Sequence, residues 1–152
     1  MKKEIQFTLI DLQTWPRGSV FYYFSHMAPT GYSITVDMDV TKMRADLKKA
    51  GLKFFPAYLW LVTKVLNEQQ EFRIADQDGQ IGYYDSLTPL YAPFMRMIRH
   101  FHSVEAGKFC EKNGSIMMPL SVTCHHATTD GYHVNRFLET LQTEMKSFEQ
   151  YV

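Results

Sequence analysis

The chain is predicted to fold as an α/β or α+β domain built around a mixed β-sheet flanked by helices. Three observations carry this class. The segment "YSITVDMDV" (32–40) alternates apolar and polar residues, the period of a half-buried strand. "FFPAYLWLVTKVLNEQQ" (54–70) places apolar residues at helical spacing. Asp78-Gly79 and Asn113-Gly114 each separate two strand-like runs, the turn chemistry of a tight hairpin.

The elements follow in order. "EIQFTLIDL" (4–12) partly alternates and reads as a strand. "TWPRGSVFYYFSHM" (14–27) reads as a helix, with Thr14 as N-cap, Pro16 in the first turn and an aromatic face. After the strand at 32–40, "TKMRADLKKAG" starts a helix at Thr41 and stops it at Gly51. The long apolar helix comes next. "FRIADQDGQIGYYDS" (72–86) and "GKFCEKNGSIMMPLSVTCHH" (107–126) are the two hairpins, and "GYHVNRFLETLQTEMKSFEQ" (131–150) closes the chain as an amphipathic helix. There is no repeat or low-complexity run.

Bulk properties narrow the function. A length of 152 residues supports one domain with a real core, residues 1–152. Sixteen basic and sixteen acidic residues cancel, which gives no reason to expect nucleic acid or an anionic membrane as partner. No apolar run reaches a membrane span, the N-terminus lacks the apolar core of a signal peptide, and Cys110 and Cys124 have neither metal nor disulfide spacing. A cytoplasmic, reducing location is the default. Aromatics reach 14%, which suits a β-rich core or a pocket for a flat apolar ligand.

The chemistry concentrates at one seam. His125 and His126 follow a strand directly, and Asp130-Gly131 then opens the last helix. Adjacent strand residues point to opposite sides, so the two imidazoles do not chelate one ion together and no metal site is expected. By the same reasoning Cys124 is placed with the neighbour of His126 rather than against it, as a small buried residue. One histidine can face a pocket, although a histidine at a strand end is more often structural than catalytic. Asp130 reads locally as an N-cap or Asx turn and Arg17 as a solvated arginine. Ser103 and Ser121 lack a nucleophile-elbow context, and no phosphate-loop or dinucleotide fingerprint is present.

The stretch "PLSVTCHHATTDGYHVNRFLETLQ" (119–142) resembles the C-terminal signature of the chloramphenicol acetyltransferase family. "DLQTWPRGSVFYYF", "GYSITVDMDVTKM", "KFFPAYLWLVTKVLNEQQEFRIA" and "GYYDSLTP" are similar to that family's segments, in the same order. His-x-x-x-Asp-Gly alone is shared with dihydrolipoamide acyltransferase cores. The resemblance implies an α/β two-layer sandwich and an acetyl-CoA-dependent O-acetyltransferase acting on chloramphenicol or a similar small alcohol. It assigns His126 as general base, with Asp130 paired to Arg17 as structural support. It places Tyr23, Phe24, Thr30, Tyr32 and Phe94 in the acceptor pocket, and it implies a homotrimer with the site between subunits. Acetyl-CoA is the cosubstrate, with no metal. Phe24 stands where the family usually has Tyr, and Thr30 where Cys is common.

One departure is large. Family members are longer, and the portion expected after "YDSLTPLYAPFMRMIRHFHSV" is missing, with the junction near 104–106. That portion supplies the serine that hydrogen-bonds the tetrahedral oxyanion, along with pocket walls and much of the CoA tunnel. The alternative expectation is therefore a catalytically inactive remnant that persists as a folded or oligomerising protein.

Overall fold

The computed structural model describes residues 5–88 and 102–152. The strands are β1 (Phe7–Leu9), β2 (Gly31–Asp39), β3 (Ile74–Gln77), β4 (Gln80–Tyr84), β5 (His102–Ala106), β6 (Cys110–Lys112) and β7 (Ser115–His125). The helices are α1 (Gly18–Tyr22), α2 (Thr41–Lys49), α3 (Phe54–Asn67) and α4 (Gly131–Lys146).

Among the described residues the strands form two sheets. The smaller has the order β1-β4-β3, and the larger runs β2-β7-β5, with β6 also on β7. Sheets flanked by helices match the expected α/β class, but every strand pair among the described residues is antiparallel. The turn residues explain much of this. Asp78 (φ 56°) with Gly79 (φ 85°), and Asn113 (φ 52°) with Gly114 (φ 78°), adopt the left-handed pair that reverses a chain in two residues. A parallel neighbour would need a long crossover instead.

β7 is the spine of the larger sheet. It pairs with β2 along nine positions, from Gly31 opposite His125 to Asp39 opposite Met117. Its other edge carries β5 and then β6. The junction expected near 104–106 falls inside β5, which keeps an unbroken register from His102 opposite Cys124 to Ala106 opposite Leu120. Gly107 N–H continues it with a 2.8 Å bond to the Pro119 carbonyl.

One face of this sheet is apolar because of the strict alternation in β7: Met118, Leu120, Val122 and Cys124 are buried. Helices α2, α3 and α4 supply Met43, Leu47, Leu61, Val65, Phe137 and Leu141 to the same core. The opposite face is polar, with Thr35 and Ser121 hydroxyls 2.7 Å apart and Thr123 donating to Ser33 at 3.1 Å. α4 is fastened to the end of β2 by Gln142, which accepts from Asp39 N–H at 2.8 Å and donates to its carbonyl at 2.9 Å.

The first helix departs from expectation. Thr14 is not its N-cap, because its hydroxyl donates backwards to Asp11 Oδ2 at 3.0 Å. Asp11 instead organises a turn, accepting from Trp15 N–H through its carbonyl at 2.9 Å, and helix begins only at Gly18. After Tyr22 the helix widens into a π-turn over Tyr23–Met27, closed by Ala28 N–H to the Tyr23 carbonyl at 2.9 Å.

Gly18 is required by close approach. A Cβ there would lie 2.0 Å from the Leu12 carbonyl oxygen, which is backbone and cannot swing away. Gly18→Ala is expected to destabilise the fold by about 1–3 kcal/mol, the usual cost of forcing extra volume into a packed site. Urea unfolding with an unchanged midpoint would contradict this.

Candidate active site

The site is assembled where β7 ends. His125 is the last residue of β7, opposite Gly31, and the pairing extends one step further as His126 N–H donates to the Thr30 carbonyl at 2.9 Å. The chain then turns tightly. Thr128 and Thr129 N–H both point to the His125 carbonyl, at 3.1 and 3.2 Å. Asp130 follows as N-cap of α4, its Oδ1 accepting from Tyr132 N–H at 3.1 Å. The local N-cap reading of Asp130 is therefore correct.

Arg17 closes this turn. Its guanidinium donates to Asp130 Oδ2 at 3.0 Å and to the His126 carbonyl at 3.2 Å. The residues on either side of the three-residue turn are thus held by one planar group, so Arg17 is not a free solvated arginine. The pair is half-buried, with side-chain exposure of 21% for Arg17 and 42% for Asp130. Burial pushes the Asp130 carboxyl up, but the Arg17 hydrogen bond and the charges of His133 and Arg17 outweigh it and hold it below the ordinary carboxylate value.

The imidazole of His126 lies against two aromatic rings. Tyr32 is 4.3 Å away centroid to centroid at an interplanar angle of 31°, and Phe24 is 5.0 Å away at 28°. Phe24 comes from the π-turn and Tyr32 from the start of β2, so both flanking elements meet the strand end at the His126 ring. His126 belongs to the inward series of β7, the same side as Cys124 two residues earlier. This corrects the expected placement of Cys124: it is buried directly opposite Tyr32, the residue whose ring packs on His126.

His125 occupies the other side. Its Nδ1 accepts from Ala127 N–H at 3.2 Å. Burial, followed by the nearby charge of His126, pushes its pKa below the ordinary histidine value. Such a ring stays neutral more readily, which suits a structural acceptor.

The remaining expected site residues divide. Tyr23 packs edge-on against Phe24 at 5.1 Å and is 47% exposed. Thr30 spends its hydroxyl on the Ala28 carbonyl at 2.7 Å while its own carbonyl anchors His126. Phe94 lies outside the described residues. Among the described residues no group of three or more His, Cys, Asp or Glu is placed to hold a metal ion, and no helix is long and apolar enough to cross a membrane.

Two supporting residues escaped sequence reasoning. His133 Nδ1 lies 3.2 Å from Asp130 N and 2.9 Å from its Oδ1, reproducing a capping box with His in place of the usual Glu or Gln. The Asp-x-x-His spacing was the available signal. Thr129, fully buried, accepts a hydrogen bond from Tyr32 OH at 3.2 Å. Nothing local to either residue announces that contact.

The fold is that of solved acetyltransferases. A chloramphenicol acetyltransferase structure superposes with a TM-score of 0.80 at 22% identity, covering 93% of this chain and all (100%) of that one. The dihydrolipoamide acetyltransferase of Azotobacter vinelandii gives 0.55 at 13% identity, covering 88% of each chain. The chain belongs to the chloramphenicol acetyltransferase family, whose model matches residues 5–106 and 100–142. The Staphylococcus aureus chloramphenicol acetyltransferase is 26% identical over 206 aligned positions, covering 91% of this chain and 95% of that protein. That alignment is longer than the 152 residues present here, and the two family matches meet at the strand β5.

Proposed function

We propose that this chain transfers an acetyl group from acetyl-CoA to a hydroxyl of chloramphenicol or a similar small apolar alcohol, with His126 as general base. The observation that carries the proposal is the setting of the His126 imidazole, packed against Phe24 and Tyr32 in a turn that Arg17 closes onto Asp130. A free hydroxyl is scarcely ionised at neutral pH, whereas a neutral imidazole can accept its proton during attack. The acceptor oxygen forms its bond to the thioester carbonyl carbon as His126 takes the proton. The tetrahedral intermediate then collapses, the C–S bond breaks, and the imidazolium returns the proton to the departing thiolate. Tyr23, Phe24, Thr30, Tyr32 and Phe94 are proposed as acceptor contacts. Arg17 and Asp130 hold the turn and do not take the proton.

The active unit is proposed to be a homotrimer. Support comes from apolar side chains around the site that one chain leaves open: Val20, Tyr22, Tyr23 and Met27 on α1 and the π-turn, and Tyr132 at the start of α4. Phe24, Thr30 and Tyr32 stand at the base of their own chain, so a neighbouring subunit would have to complete the pocket from other residues. Light scattering at micromolar concentration is expected to give a mass of about three chains under closed cyclic symmetry. A monomer mass would remove the shared site.

A second reading has its own observation. The longer alignments support an internal deletion near 104–106 within a single 1–152 domain, and in the family the lost portion carries the oxyanion-binding serine. Without that donor the rate is expected to fall by about 10²–10³, and a fully inactive, folded remnant is the limiting case. Thiol release from acetyl-CoA in the presence of chloramphenicol separates the two. Release above the uncatalysed rate supports the enzyme, and its absence from a chain of verified mass supports the remnant.

A further inference from the structure

Tyr32 stands among the proposed acceptor contacts, yet its hydroxyl is already engaged inside the protein. In the β2–β7 register Tyr32 lies directly opposite Cys124. Its OH donates to Thr129 Oγ1 at 3.2 Å, and the Thr129 hydroxyl in turn reaches toward the His125 carbonyl at 3.4 Å. Thr129 is fully buried and belongs to the turn that follows His126. One side chain therefore does two things. Its ring packs on the His126 imidazole at 4.3 Å, and its hydroxyl is fastened to the turn that carries His126.

We infer that Tyr32 is a positioning residue for His126, its Thr129 bond holding the ring that sets the plane of the imidazole. The inference rests on the reading of His126 as general base. Tilted packing of the Tyr32 ring on the imidazole at 31° opposes movement toward the ring but leaves both rings free to slide past each other. A hydrogen bond from the far end of the phenol removes that freedom. The donor is dependable, since burial, partly offset by the Thr129 bond, pushes the Tyr32 hydroxyl up to about 12, so it keeps its proton throughout neutral pH. A general base must hold its nitrogen within hydrogen-bond reach of the acceptor hydroxyl, and small displacements of such groups are costly in rate.

The test uses the full chain with Tyr32→Phe and Thr129→Val. Each deletes the bond while nearly preserving shape, and Thr129→Ser retains a hydroxyl. Turnover is read by thiol release from acetyl-CoA with chloramphenicol, and the His126 ring is read by the NMR signal of its Cε1 proton, assigned with His126→Gln. In both bond-deleting variants kcat is expected to fall by about tenfold with acceptor KM within about twofold. The His126 signal is expected to shift or broaden, and Thr129→Ser should restore both readouts. A purely structural role would lower the melting temperature without moving the His126 signal. An unmoved signal with wild-type kcat would overturn the inference, as would a loss confined to acceptor KM, which would assign the Tyr32 hydroxyl to the substrate. If the unaltered chain releases no thiol, the proposed function fails. The NMR readout then still decides: a signal moved in both variants supports the clamp, and one moved in neither overturns it.

Discussion

His126→Ala is expected to lower acetyl transfer by about 10²–10⁴, the usual contribution of a positioned general base, while leaving the fold intact. The ring is not a keystone of the core. It sits past the end of β7, and the backbone bonds that hold the turn, His126 N–H to Thr30 and the His126 carbonyl to Arg17, survive removal of the side chain. His125→Ala provides the contrast. That ring faces the other side of the sheet and accepts from Ala127 N–H, so its loss should cost a fraction of the stability and little turnover. Steady-state kinetics of the two variants check this. Full activity in His126→Ala beside a collapse in His125→Ala would reverse the assignment.

Arg17→Ala is expected to lower stability and turnover together. It leaves Asp130 Oδ2 and the His126 carbonyl without their donor. A fully buried pair broken on one side costs roughly 3–5 kcal/mol, and an exposed one about 0.2–1. With Arg17 21% and Asp130 42% exposed, about 1–3 kcal/mol is expected, or several degrees in melting temperature. Arg17→Lys should recover little, because a single ammonium lacks the planar fork that serves two acceptors. Asp130→Asn should be milder, since an amide oxygen can still cap α4.

The same pair gives a pH dependence of known sign. The Asp130 carboxyl is held below its ordinary value in the fold. Its stabilisation is therefore complete above the unfolded carboxylate pKa of about 3.9 and is lost as pH falls through the lower folded value. Acid unfolding of Asp130→Asn should show less of this loss than the unaltered chain. An identical acid limb for both would mean that the pair contributes nothing.

Legibility differed from element to element for physical reasons. β2, the two hairpins, α3 and α4 were readable because local rules agree there: two-residue alternation, left-handed turn residues, and helical spacing with a cap. α1 was misplaced because Asp11, four residues ahead of Trp15, captured both the Thr14 hydroxyl and the turn amides. The antiparallel pairing of the strands among the described residues was not readable, because pairing between distant strands leaves no local trace.

The sequence by itself determined the family, the seam that carries His126 and Asp130, and Arg17 as their partner through the matched signature. Only the tertiary structure decided how those residues meet. The Tyr32–Thr129 bond spans 97 positions and the Arg17–Asp130 pair 113, so neither leaves a periodic signal in the chain. Both exist because the antiparallel register of β2 on β7 brings the start of one strand to the end of the other. The residues flanking α1 then close that corner: Arg17, just before it, reaches the turn, and Phe24, in the π-turn after it, meets the imidazole.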